Sequence, residues 1–202
     1  MSLNLIGDFI FNGHELPAEL CDESEQVRLN DFLYSRILKS RFHKGDHLLK
    51  VHQIPDKVYY MDEGVASGYR IDQNGKRRLT HGWLNSAILT DGWQFVSQKP
   101  SSIYIEIIKN NLELISLHRS DITDMVERFP YTRQFYMAII DNNIRNSNAQ
   151  IVREYRGVEK LKSMREQWPG IELMAPKSFI AELLNISPQY LCRVSKNELS
   201  KR

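Results

Sequence analysis

Gln189, Arg193 and Lys196 follow one another at spacings of four and three residues near the C-terminal end of this 202-residue sequence, so on a helix they share one face. A glutamine amide and a guanidinium can each make paired hydrogen bonds to a base edge in the major groove of duplex DNA, to adenine and guanine respectively. A lysine ammonium there more often meets phosphate. Tyr190 belongs to the same outward arc, whereas Leu191 and Val194 face the other way and need a partner to pack on. The preceding residues supply one. Pro176 presets φ for a helix start, and Ile180, Leu183 and Leu184 recur on one face at helical spacing. Ala181 is small where two helices cross closely. Asn185 stands where the chain must leave the helix through positive φ, which asparagine tolerates next best after glycine. Ile186 then plugs a turn, Ser187 caps the next helix and Pro188 suits its first position. The pattern predicts a helix-turn-helix from Lys177 to about Leu199, with Lys177, Ser187, Gln189, Tyr190, Arg193 and Lys196 as candidate DNA contacts.

An ordinary αα-hairpin packed on a core would show the same spacing, and charge separates the two readings. From Arg153 onward ten Lys or Arg stand against six Glu, a net +4 that leaves −2 for the remainder of a chain of net +2. Basic charge gathered beside an outward helix face is the footprint expected for a phosphate backbone.

The elements that must position this face read differently along the chain. With 42% hydrophobic residues the sequence can bury a real core in one or two domains. It has no run of about 18 apolar residues and no N-terminal signal pattern, so a cytoplasmic protein without membrane contact is expected. Cys21 and Cys192 lie far apart without metal-ligand spacing and read as plain thiols. A helical stretch from about Glu25 to Ser40 comes first. Turn signals follow at short intervals, Lys44-Gly45-Asp46, Asp62-Glu63-Gly64 and Asn74-Gly75, between runs such as Val58 to Met61, Ile103 to Ile107 and Leu112 to Leu117. This predicts an antiparallel roll or sandwich over about residues 30–120. From Ile122 the period becomes helical. One long helix is expected from near Tyr131 to about Tyr155, its stripe of Tyr136, Ile140, Ile144, Ile151 and Tyr155 serving as a homodimer seam, with Asn142, Asn143, Asn146 and Asn148 making its middle polar. The expected division is a roll over 1–120, connecting and dimerisation helices over 121–155, and a helix-turn-helix unit over 156–202.

This order of parts resembles the Crp/Fnr family of bacterial transcription regulators. The resemblance covers nearly the whole chain. Its local marks are Phe42-His43-Lys44-Gly45-Asp46, Tyr60-Met61-Asp62-Glu63-Gly64 and Gln98-Lys99-Pro100. The specific one is Phe179 to Pro188 through Leu191-Cys192-Arg193, which is similar to the family's "IAxxLGISPxTLSR" pattern. The resemblance implies an α+β fold: an N-terminal antiparallel β-roll (a double-stranded β-helix of the cyclic-nucleotide-binding kind), a long dimerisation helix and a C-terminal helix-turn-helix. It also implies a sequence-specific regulator whose partners are double-stranded DNA, a second copy of itself and RNA polymerase. Ser187, Gln189 and Arg193 then lie where the family contacts DNA.

Two departures qualify it. The family's cyclic-nucleotide binders hold ribose and phosphate with a Gly-Glu pair and, about ten residues later, an Arg-Ser/Thr-Ala segment. Residues 83–102 contain neither glutamate nor arginine, and Lys99 is their only cation. A response to cAMP is therefore not expected, and no cofactor is assigned. The sequence also ends soon after the second helix, so a β-hairpin wing is expected to be short or absent, with Lys201 and Arg202 as partial substitutes. If another effector binds, the candidate pocket is Trp83, Trp93, Phe95 and Lys99 with Asn142 and Asn143, which would suit an apolar or aromatic molecule. An enzyme is the remaining alternative, because cupin-like rolls hold metals. His43, His47 and His52 lack the His-x-His and glutamate spacing of such sites, and no P-loop, nucleophile elbow or dinucleotide fingerprint occurs. Neither catalytic residues nor a metal site are expected.

Overall fold

The computed structural model describes residues 4–11, 14–109 and 111–199. Helix α1 (Glu23–Tyr34) starts at Asp22, whose carboxylate accepts from the Ser24 backbone N–H at 2.9 Å and satisfies one of the free donors of the first turn. Strands β1 (Leu38–Phe42), β2 (His47–Leu49), β3 (Lys57–Met61), β4 (Val65–Ile71), β5 (Arg77–Leu84), β6 (Ala87–Leu89), β7 (Tyr104–Ile107) and β8 (Leu112–His118) follow, with helix α2 (Gly92–Ser97) between β6 and β7. They form two antiparallel four-stranded sheets, ordered β1-β8-β3-β6 and β2-β7-β4-β5. The β4–β5 turn is the Asn74-Gly75 predicted from sequence, with Gly75 at φ +73°. Side chains alternate across the pleat. In β3, Tyr59 and Met61 belong to the core between the sheets, while Val58 and Tyr60 belong to a second core outside.

Helices cover both outer faces. Against β3, β6 and β8 pack the turn Leu5–Ile10, α1, α3 (Arg119–Arg128) and α4 (Gln134–Arg145), through Phe9, Leu33, Met125, Phe135 and Ile139. Against β4 and β5 pack the C-terminal helices α5 (Ala149–Glu154), α6 (Gly157–Gln167), α7 (Ile171–Met174), α8 (Lys177–Leu183) and α9 (Pro188–Leu199). Val65, Tyr69, Leu79 and Leu84 of the sheet share that core with Leu161, Trp168, Ile180 and Leu183. The helix-turn-helix is thus docked on the roll rather than held away from it.

Two sequence expectations are corrected. The first helix stops at Tyr34, not Ser40, because Leu38 to Phe42 pair with Ser116 to Leu112 of β8, and strand pairing overrides the local helical pattern. The single helix over 131–155 is interrupted. It begins at Gln134 and ends at Arg145, after which residues 146–148 run against β5: Gly82 N–H donates to the Asn146 carbonyl at 3.0 Å and Asn148 N–H to the Thr80 carbonyl at 2.9 Å. The Asn146 side chain donates back to the Asn142 carbonyl at 2.7 Å, beside its own backbone N–H at 3.1 Å, and so caps the end of α4. Short polar side chains compete with helical backbone in this way.

Candidate nucleic-acid interface

The turn between α8 and α9 is built as its residues dictate. Asn185 takes φ +52°, and Ile186 N–H closes the end of α8 on the Ala181 carbonyl at 2.9 Å. The Ser187 hydroxyl accepts from Tyr190 N–H at 3.1 Å, and Pro188 opens α9. Leu191 and Val194 are buried against the core. Ser187, Gln189, Cys192, Arg193 and Lys196 are exposed, as is Lys177 at the start of α8. Tyr190 is half-buried, with the Arg193 guanidinium 4.9 Å from its ring centroid. That stacking holds the guanidinium over α9 and limits its rotamers before any ligand arrives. Lys201 and Arg202 lie outside the described residues.

Buried polar groups fix the orientation of this pair of helices. Lys160 of α6 is buried, and its ammonium donates to the Leu184 carbonyl at 2.7 Å, at the negative end of α8. Burial pulls the Lys160 ammonium below its ordinary value, and nearby Arg156 adds to the shift. The buried Asn148 amide donates to two carbonyls, Leu79 of β5 at 2.9 Å and Leu183 of α8 at 2.6 Å. On the roll, Arg77 of β5 lies 3.3 Å from Glu182 of α8, pairs with Glu106 of β7, donates to the Ser67 hydroxyl at 3.0 Å and stacks 3.9 Å from the Tyr69 ring centroid. Burial pushes the Glu182 carboxyl above its usual range, and Arg77 pulls it back. Arg78 donates to the Asn185 side chain at 2.9 Å. The sequence pattern marks Asn148 only as a polar position of the expected seam helix and does not single out Lys160, Arg77, Arg78 or Glu182, because each acts on a partner remote in the chain. A lysine followed directly by apolar Leu161 and Met164 on one helix was the faint signal available.

The six residues of the expected effector pocket do not come together. Trp83 fills the core between the sheets, stacked on His81 with ring centroids 5.2 Å apart. Phe95 belongs to the separate core under α4. Trp93 is 58% exposed on α2, and Lys99 is exposed beyond it. The Asn142 amide pairs with the Ile88 backbone, accepting at 3.1 Å and donating at 3.4 Å, and Asn143 donates to the Thr90 carbonyl at 3.1 Å. Both amides thus pin α4 to β6 instead of facing a ligand. A sequence gives the type of such a side chain and not the backbone group it will meet.

The three histidines are likewise dispersed. His47 Nε2 shares a 2.8 Å hydrogen bond with the Tyr69 hydroxyl, while His43 and His52 are exposed in turns. Among the described residues no three His, Cys, Asp or Glu are placed to hold a metal ion. No described helix is long and apolar enough to cross a membrane.

A roll of two antiparallel four-stranded sheets, followed by α4 and a C-terminal helix-turn-helix, is found among solved bacterial proteins. A transcriptional regulator assigned to the Crp/Fnr family from Eubacterium rectale is similar over 98% of this chain and 88% of its own, with TM-score 0.63 and 10% identity. The fold is that of the Crp/Fnr regulators. FixK2 from Bradyrhizobium japonicum is similar over 82% of this chain and 85% of its own, with TM-score 0.66 and 14% identity. A cyclic nucleotide-binding domain protein from Listeria monocytogenes matches over 89% and 92%, at TM-score 0.66 and 12% identity. At these identities the likeness is one of fold. No family model and no curated protein matches the sequence.

Proposed function

We propose that the protein is a sequence-specific DNA-binding transcriptional regulator that acts as a homodimer and does not respond to cAMP. One observation carries the reading: α9 buries Leu191 and Val194 and turns Gln189, Arg193 and Lys196 to solvent, at the spacing that fits a major groove. Net positive charge in the same part of the chain supports it. For the homodimer the support is the free side of α4, where Met137 is 60% and Ile144 59% exposed, with Ile140 and Tyr136 half-buried beside them. Positions 137, 140 and 144 repeat at the three-and-four spacing of a two-helix seam, and a two-fold dimer presents two α9 helices to two half-sites. Against cAMP stand the missing glutamate and arginine of residues 83–102 and the Trp83 ring packed in the roll.

Selection of DNA from a random pool by the purified full chain, with and without cAMP, tests the reading. A palindromic site enriched equally in both arms is the expected result. A requirement for cAMP overturns the pocket argument, and retention of DNA without sequence preference reduces α9 to a basic patch.

A further inference from the structure

The β4–β5 hairpin stands beside the helix-turn-helix, and the two enclose an open cleft of about 930 Å³. Arg70, Lys76 and Arg78 line its roll side, and Ser178, Asn185 and Pro188 its helix-turn-helix side. Charge on the hairpin is unevenly compensated. Arg77 is paired with Glu106 and Glu182, and Arg78 with Asp72 at 2.9 Å. Arg70 and Lys76 have no carboxylate partner within 4 Å among the described residues. Asp72 is engaged by Arg78 and by the backbone N–H groups of Asn74 and Lys76.

Arg70 also lies directly opposite Arg78 in the ladder. Asp72 neutralises the Arg78 half of this like-charge pair and leaves the Arg70 guanidinium without a carboxylate of its own. Arg70 and Lys76 are both exposed and therefore open to an external anion, and position says which. The far wall of the cleft includes Pro188, the first residue of α9, and Ser178, next to exposed Lys177. Arg78 already touches the turn that a docked helix-turn-helix brings close to a DNA strand. The polyanion within reach of both walls is the duplex that α9 reads.

We propose that the β4–β5 hairpin is a second DNA-contacting element, in which Arg70 and Lys76 bind the phosphodiester backbone flanking the base pairs read by α9. The proposal rests on the DNA-binding reading above. The roll then contributes affinity without contributing sequence preference, since phosphate contacts carry no base information.

The test uses the full chain, a selected duplex and a scrambled duplex, with dissociation constants measured by fluorescence anisotropy over a salt series. Each of Arg70→Ala and Lys76→Ala is expected to weaken binding to both duplexes by a similar factor, about three- to tenfold. Each is also expected to lower the slope of log K against log salt by about 0.9. Arg41→Ala, an equally exposed cation on β1 in the other sheet, is expected to leave the slope unchanged. Unchanged slopes in the two hairpin variants, or an equal drop in Arg41→Ala, overturn the proposal. Thermal unfolding of each variant at the wild-type temperature confirms that the sheet is intact. A wild-type chain with no salt-dependent DNA binding is a different failure, that of the DNA-binding reading itself.

Discussion

Arg193 is held ready by the Tyr190 ring beneath it, so a base contact from its guanidinium loses little rotamer freedom on binding. Arg193→Ala is expected to cost about 1–3 kcal/mol in binding to the selected site and to relax preference at one base pair. Equal loss on all duplexes would make Arg193 a phosphate contact. A second residue-scale expectation concerns His81, whose imidazole is pulled down to about 4 by burial beside Trp83. Unfolded, the ring takes a proton near pH 6.5; folded, it refuses one until about pH 4. The unfolded state therefore binds more protons between those values, and stability, full above pH 6.5, falls as pH drops through the window by up to about 3 kcal/mol. In His81→Gln that part of the decline is expected to vanish, which urea unfolding at a series of pH values would show as diverging curves for the two proteins. At this scale the sequence was legible wherever the cause is local. Asn185 at positive φ, the Ser187 cap and Pro188 at the helix start all follow from what each residue does to its own backbone. The asparagines of residues 142–148 were not legible, because an amide can cap, solvate or cross-link with equal chemical ease. Here Asn142, Asn143 and Asn148 meet the carbonyls of Ile88, Thr90, Leu79 and Leu183, far off in sequence.

Three elements meet at the Asn148 amide: the segment after α4, strand β5 and helix α8. Removing it strands two buried carbonyls, so Asn148→Ala is expected to lower stability by about 2–3 kcal/mol in denaturant unfolding. An unchanged midpoint would mean that water replaces the amide at no cost. The interruption beside it explains why the helical stripe read from sequence divides in the structure. Tyr136, Ile140 and Ile144 stay on α4 with one side toward solvent, whereas Ile151 turns into the core under the helix-turn-helix. The period of 3.6 holds on each piece and fails between them, where the residues favour caps and turns. The proposed seam is consequently short, and single charges should break it. Met137→Glu and Ile144→Glu are each expected to yield a monomer by analytical ultracentrifugation where the parent chain is a dimer, with a thermal midpoint that no longer rises with protein concentration, because within one chain both side chains are exposed and only the partner copy would cover them.

On the scale of the whole molecule, helix α9 is placed by the roll. Ion pairs and hydrogen bonds from Arg77 and Arg78, the Asn148 bridge and the shared apolar core lock α8 to β5, so the spacing between two α9 helices in a dimer follows from the roll and α4 together. One close point of that contact is Gly82. A Cβ built there would stand 3.1 Å from a Leu183 methyl, tighter than packed carbon atoms ordinarily rest, so that side chain would have to give by a few tenths of an ångström, and by more for a branched residue. Gly82→Val forces the two apart and is expected to cost about 1–3 kcal/mol of stability. The sharper consequence is for DNA. Each helix-turn-helix retains its own fold and charge, so binding to a scrambled duplex should persist, while affinity for a two-half-site duplex should fall because the spacing is no longer preorganised. Small-angle scattering should show a larger radius of gyration for the variant. If that radius grows while the preference for the two-half-site duplex stays intact, the half-sites are being read by independently tethered heads, and the docking on the roll is not what sets their distance.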